Sequence, residues 1–315
     1  MDLQILKDTK PFKQLFAILL ITTAVGIIIT LFGILVSAIF VEGSILNRIE
    51  MMESMQHTGD LSLMKYLQFV SQLGFFIFPA IIFGFFIKAN ILEFFKMNKF
   101  PKLSILISSV LIMVAAMPLS DWLIYQNNLM QLPESLSGLE QWMRTTEEKA
   151  AYMTNLFLQM DSFSDYLVNI GMIGLAAALG EELLMRGVLQ TIFIKATKNI
   201  HAGIWITAFV FSFIHLQFYG FFARMFMGAI LGYLFYYTQN LWVPIIVHFF
   251  NNAAAVSYVY FTNIPLDSTN LSEMELEKHG TLYAFMSLLI VVAGLFFLRN
   301  YWIKNNKDET IIAAF

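Results

Sequence analysis

The amino-acid sequence predicts an all-α fold: a polytopic transmembrane helical bundle of about eight spans, with both termini cytoplasmic. Three observations carry this prediction. Of the 315 residues, 58% are hydrophobic and only 13% charged, with 32 Phe among them. A soluble domain is roughly 25% charged and has to cover its outside with polar groups. The chain also holds eight apolar runs of span-like length, a span being about 20 residues across ~30 Å of hydrocarbon. Finally, the lysines and arginines gather in alternate loops, as the positive-inside rule requires.

The first run, 14–40, follows Lys7, Lys10 and Lys13 as a signal-peptide core would. Its length of about 27 residues exceeds the 7–15 of such a core and no A-x-A site follows, so it reads as an uncleaved span. The second and third runs are 66–88 and 103–124, and the fourth is 166–192. The fifth and sixth, 203–219 and 222–239, are short and almost contiguous; 242–262 and 281–299 complete the set. Between the third and fourth lies a long acidic loop with Glu134, Glu140, Glu147 and Glu148; a second contains Asp267, Glu273, Glu275 and Glu277. Within 134–162, Leu139, Trp142, Met143, Met153, Leu156, Phe157 and Met160 fall mostly three or four residues apart. That period predicts an amphipathic helix on the outer membrane surface, either a brace for the bundle or a lid. With no repeat or low-complexity tract, residues 1–315 read as a single membrane domain and 166–262 as its core.

With a cytoplasmic N-terminus, the inside segments and their helix ends hold twelve basic residues, the outside loops five, and Arg186 and Arg224 fall within spans. Net charge is -3 and no basic patch stands out, which argues against nucleic acid. The absence of Cys excludes disulfides, thiolate metal sites and cysteine nucleophiles. No Walker A or G-x-G-x-x-G motif occurs, so no nucleotide partner is expected.

Ionisable side chains deep in a span cost on the order of 3 kcal/mol each and usually mark function. Here they are Glu181, Glu182 and Arg186 in the fourth run, His215 in the fifth, Arg224 in the sixth and His248 in the seventh, with Asn251 and Asn252 beside it. His57, His201 and His279 fall in loops or at an edge. Glu182 and Arg186 are spaced i, i+4 in the favourable order for a pair. Glu181, about 100° round the helix, is left to face something else, and Gly180 leaves room for another helix or a substrate backbone. His248 and Asn252, also i, i+4, project into one space while Asn251 points elsewhere. Phe211 and His215 are spaced so that the phenyl ring packs beside the imidazole. At 1.5 Å per residue, Glu181, His215 and Asn252 lie roughly 15–18 Å from the cytoplasmic ends of their spans, and His248 one turn nearer. Arg224, close to the outer end of its span, reads as structural, its stem snorkelling to the interface.

A buried carboxylate beside an imidazole can hold and deprotonate a water. A second His with an Asn amide offers donors to an oxyanion developing on a carbonyl. Together they suit addition of water to an amide. Glu181, His215 and His248 are equally a sufficient ligand set for Zn2+ with a fourth position open to water, and the sequence leaves both designs standing. There is no H-E-x-x-H, no G-x-S-x-G and no pair of Asp residues within spans.

These residues resemble a known family. Glu181-Glu182-Leu183-Leu184-Met185-Arg186 is similar to the E-E-x-x-x-R motif of the CPBP intramembrane proteases, the CAAX protease and bacteriocin-processing (Abi) family. Phe211-Ser212-Phe213-Ile214-His215 is similar to its F-x-x-x-H, and His248-Phe249-Phe250-Asn251-Asn252 to its H-x-x-x-N, in the right order over about a quarter of the chain. The resemblance implies a fold like that of the type II CAAX prenyl endopeptidases, with a site in a cavity within the membrane. It implies that Glu181 activates water with His215 as partner, that His248 and Asn252 polarise the carbonyl or hold the oxyanion, and that Glu182 and Arg186 support them. Family members are called metalloproteases although a metal's part in the reaction is disputed, so the resemblance leaves both designs standing. The implied partners are membrane lipid and a hydrophobic peptide or membrane-protein substrate, prenylated or a leader, in a bacterial cytoplasmic membrane. A proton-coupled transporter and a non-catalytic scaffold or immunity protein are the competing readings.

Overall fold

The computed structural model describes residues 4–39, 61–265 and 273–305. Arg48, His57, Asp267 and Lys307 lie outside the described residues, as do the side chains of Glu273 and Glu275. Among the described residues every regular element is helical. The long helices are α1 (Pro11–Ser37), α2 (Leu61–Ile87), α3 (Leu103–Asn128), α4 (Ser137–Phe157), α5 (Phe163–Thr197), α6 (Ile200–Ile214), α7 (Phe221–Thr238), α8 (Trp242–Thr262) and α9 (Glu273–Asn305). All but α4 correspond to one of the eight apolar runs.

Six of these helices are long and apolar enough to cross a membrane: α1, α2, α3, α5, α8 and the Leu276–Tyr301 part of α9. The other two runs differ for physical reasons. Helix α6 has 15 residues and reaches only ~22 Å, short of the ~30 Å of hydrocarbon. Helix α7 carries Arg224 and three tyrosines and is less apolar than the six. The outward faces fit a lipid solvent: α1 exposes Phe12, Phe16, Ile28 and Phe32, and α9 exposes Leu282, Phe285, Phe296 and Phe297. This is a multi-pass membrane protein.

Helix α5 is the centre of the bundle. A capping box starts it, with the Ser162 hydroxyl accepting from the Asp165 N–H and the Asp165 carboxylate accepting from the Ser162 N–H. It ends at Lys198 in the left-handed region (φ 53), after which the Asn199 side chain caps α6 by accepting from the Ala202 N–H at 3.0 Å. Between these ends α5 is not uniform, since Ile170–Ala176 and Leu183–Gln190 are π-helical. Its second half buries Leu183, Leu184, Met185, Val188, Leu189 and Ile192 against Ile18, Phe83, Phe95, Phe211, Phe235 and Ile245. Helices α1 and α2 pack on one side of this core; α3 and α9 close the other against α7 and α8. A Cβ at Gly180 would come within 3.0 Å of Phe76 and Ile77 of α2, so the space that this glycine leaves is taken by a neighbouring helix.

The periodic stretch in the acidic loop does form a helix, α4, none of whose residues is buried. It is tied to the segment between α6 and α7. The Trp142 ring lies 5.1 Å from that of Phe218, the Arg144 guanidinium sits 4.9 Å over Tyr219, and the Glu147 carboxylate accepts from the Tyr219 N–H at 3.1 Å. At its start, hydrogen bonds from Arg144 and from the Leu132 N–H hold the Glu140 carboxyl below the usual carboxylate range.

Candidate active site

The site begins with the two adjacent glutamates of α5, which sit on the turn Ala177–Glu182 just before the second π segment. π-Helical turns recur at functional sites because they shift side chains relative to the α-helical register. Glu182 and Arg186 are both 0% exposed, and the expected pair forms, with Arg186 Nη1 donating to Glu182 Oε1 at 2.5 Å. The other end of the guanidinium donates to the Gly228 carbonyl of α7 at 2.9 Å. Its carbon lies 5.0 Å over the Phe211 ring of α6. One arginine thus ties three helices together. Glu182 also has a second partner that its helical spacing did not disclose: the same Oε1 accepts from His248 Nδ1 of α8 at 2.8 Å.

His248 is therefore held from behind. A carboxylate only accepts, so the ring proton on this side belongs to Nδ1, and Nε2 is turned toward Glu181, 3.9 Å from its Oε2. That separation is too long for a hydrogen bond. One turn further along α8, the Asn252 amide donates to the Ile173 carbonyl of α5 at 3.1 Å. This bond uses one of its two N–H groups.

His215 ends α6 inside the bundle. A helix that stops there leaves its last carbonyls without partners, and in a membrane such backbone is tolerated only where protein or a polar cavity satisfies it. His215 itself satisfies one of those carbonyls, and two further side chains hold the segment that follows. His215 Nδ1 donates to the Phe211 carbonyl at 2.6 Å, the Ser212 hydroxyl to the Phe221 carbonyl at 2.7 Å, and Arg224 Nη1 to the Gln217 carbonyl at 3.3 Å. Ser212 thus anchors the end of α6 to the start of α7. Because a carbonyl only accepts, His215 carries its proton on Nδ1 and keeps a lone pair on Nε2. The Phe211 ring packs edge-on at 4.8 Å and fixes the imidazole, as the i, i+4 spacing predicted. Leu216, directly after it, has φ 52. The left-handed region is costly for a residue with a Cβ, and strain of this kind collects beside functional groups.

Glu181, His215, His248 and Asn252 all line one cavity of about 700 Å³. Its apolar wall is made by Met113, Met117, Ile124, Met227, Leu231 and Tyr258. A second cavity of about 410 Å³ shares Glu181, His215, Asn252 and Ala255, and continues to Gln68, Gln72, Phe157, Met172 and Ile173. Glu181, His215 and Asn252 thus stand where two chambers meet, and His248 faces the larger one. Glu182 and Arg186 are absent from both walls and lie behind them.

Two expectations are corrected. Asn251 was expected to point elsewhere but also lines the larger cavity. Arg224 does not snorkel to the interface; it turns into the cavity wall, its Nη2 donating to Gln217 Oε1 at 2.6 Å, because the segment after His215 offers polar partners inside the bundle. Of the two readings of Gly180, room for another helix is the one that α2 fills. Asp121 and Ser120 of α3, which also line the cavity, were missed. The signal was available in Asp121, an acidic residue inside the third apolar run.

For the Zn2+ alternative, Glu181, His215 and His248 share a wall, yet among the described residues no group of three His, Asp or Glu side chains stands close enough to hold a metal ion. His248 and His215 each donate Nδ1–H to a neighbour and keep Nε2 for another partner, so the obstacle is their separation and not their donor chemistry. As arranged, these residues do not form a metal shell.

Comparisons with known proteins cover this region. Residues 163–254 match the family described as type II CAAX prenyl endopeptidase Rce1-like. An uncharacterized protein of Bacillus subtilis (strain 168), YpbD, is 30% identical over 97 residues, which are 30% of this chain and 47% of that protein. The chain thus spans about half the length of the curated relative it matches. No solved structure matches it. The matched stretch holds α5 through the middle of α8 and all three motifs, so over residues 163–254 the chain is similar to the Rce1-like type II CAAX prenyl endopeptidases, and the resemblance read from the motifs is borne out.

Proposed function

We propose that the chain is an intramembrane endopeptidase of a bacterial cytoplasmic membrane, cleaving a peptide bond of a hydrophobic peptide or membrane-protein segment, with both termini cytoplasmic and residues 166–262 as its catalytic core. The observation that carries this reading is the convergence of Glu181, His215, His248 and Asn252 on one polar spot of a largely apolar cavity. Glu181 is the carboxylate available for proton transfer, since Glu182 is committed to Arg186 and His248. A water held between Glu181 and the His215 Nε2 lone pair gives its proton to Glu181 while its oxygen bonds to the scissile carbonyl carbon. The carbonyl electron pair moves onto oxygen, where the second N–H of Asn252 donates to it, and His248 donates from Nε2 as an imidazolium whose other N–H stays on Glu182. The tetrahedral intermediate collapses by breaking the C–N bond, and the leaving nitrogen takes the proton from Glu181. The products are a new carboxyl terminus and a free amine. The methionines of the cavity wall are flexible enough to accept apolar side chains of varied shape.

The direct test compares peptide termini across the proteome of cells carrying wild type or Glu181→Ala at equal expression. Termini present only with wild type are expected, and they identify the substrate, whether prenylated or a leader. If no termini differ while a null strain keeps a phenotype, the scaffold or transporter reading replaces this one. Removal of metal separates the two designs of the site. Activity of purified protein is expected to stay within about twofold after chelation and dialysis, because the proton transfers assigned above run through side chains alone. Loss of activity that returns only with Zn2+ would instead make Glu181, His215 and His248 ligands.

A further inference from the structure

The larger cavity carries a cation with no carboxylate in contact with it among the described residues, Glu147 and Glu181 acting on it from further off. Arg224, in the first turn of α7, lines it together with Glu181, His215 and His248. Its side-chain partner is the neutral Gln217, through the amide oxygen at 2.6 Å and the backbone carbonyl at 3.3 Å. Among the described residues no carboxylate oxygen lies within the 4.0 Å of an ion pair. Asp121, which lines the same cavity from α3, is no closer than that. The other arginine of the motif region, Arg186, is answered by Glu182. Charges at membrane depth are as a rule paired or face a pathway, and of the five N–H donors of a guanidinium two are used here.

Position gives this charge a role. Arg224 and Gly228 are one turn apart on α7, and the Gly228 carbonyl accepts from Arg186, so Arg224 sits ~6 Å further along α7 than the anchor of the Glu182–Arg186–His248 group. An extended peptide advances ~3.3 Å per residue. A group held by Arg224 is therefore a few residues from a carbonyl at Glu181. A planar guanidinium offers paired N–H groups that match a carboxylate.

We infer that Arg224 is a specificity-determining residue that pairs with a carboxylate on the substrate, a few residues from the scissile bond; this rests on the proteolytic reading above. The carboxylate is either the C-terminal one of a short trailing segment or the side chain of an Asp or Glu. The test uses short fluorescent peptides of Leu, Val, Phe and Ala in three forms: a free C-terminal carboxylate, a C-terminal carboxamide, and a carboxamide with one Glu near the end. Binding to full-length Glu181→Gln protein in detergent is read by anisotropy, and cleavage by wild type is read in parallel. At least one carboxylate form is expected to bind about tenfold to a hundredfold tighter than the plain carboxamide. Which one does so names the source. In the Glu181→Gln background, Arg224→Gln is expected to bring that form down to the carboxamide level, and in the active enzyme to raise its KM more than it lowers kcat. Equal binding of all three forms overturns the inference. So does an Arg224→Gln loss that falls equally on all three, since the residue then only holds Gln217 and its loop. A carboxylate preference that depends on Arg224, with no peptide cleaved by wild type, upholds the inference and removes the proteolytic reading instead.

Discussion

Glu181→Gln is expected to lower the cleavage rate by about 10²- to 10⁴-fold, the contribution typical of a positioned general base, while leaving thermal stability and membrane abundance close to wild type. The substitution keeps the shape of the side chain and removes its ability to accept a proton. Little else should change, because Glu181 is not the carboxylate that holds the helices together. Among the described residues its side chain makes no hydrogen bond that would tie it into the core, His248 Nε2 standing 3.9 Å away. The measurement is cleavage of an identified substrate by purified protein, beside a melting curve. A Glu181→Gln protein retaining more than about a tenth of wild-type activity would remove Glu181 from the proton-transfer role.

Glu182→Gln should fail in the opposite way. It strands the Arg186 guanidinium, 0% exposed and bonded at 2.5 Å, and breaking one side of a buried pair costs about 3–5 kcal/mol. Against a total stability of about 5–15 kcal/mol, the expected result is low yield and a markedly lowered melting temperature. The double variant Glu182→Met/Arg186→Met removes both charges, and replacing a buried pair by apolar groups of similar volume is often neutral. It is expected to recover much of the yield. Cleavage should stay impaired all the same, because His248 Nδ1 has lost the carboxylate that orients its ring. If Glu182→Gln alone were as abundant and as stable as wild type, the pair would not be the support that its geometry describes.

Much of this protein was legible along the chain for simple reasons. Hydrocarbon demands long apolar runs, so the helical class and the positions of α1, α2, α3, α5, α8 and α9 follow from composition and run length. An ionised group in an apolar run is expensive enough to stand out, which made Glu181, Glu182, Arg186, His215 and His248 visible as candidates. Spacing on a single helix made the Glu182–Arg186 pair and the Phe211–His215 ring contact predictable, since both partners ride on one backbone.

What spacing could not reach is any relation between helices, because one-dimensional periodicity says which residues share a face but not what that face meets. Only the tertiary structure decided that Glu182 serves Arg186 and His248 at once, that Asn251 and Asp121 join the cavity wall, and that Gly180 admits α2. The same holds for Arg224. From the sequence it lies near the outer end of a run, where a long stem could reach the interface. In the fold, α6 stops at His215 and leaves a polar segment inside the bundle, so the guanidinium finds hydrogen-bond acceptors inward. Composition determined that this chain is solvated by lipid and which of its side chains are too costly to be there by accident. Packing alone decided which of them face one another, because a buried polar group is settled by whichever partner the neighbouring helices bring within hydrogen-bond reach.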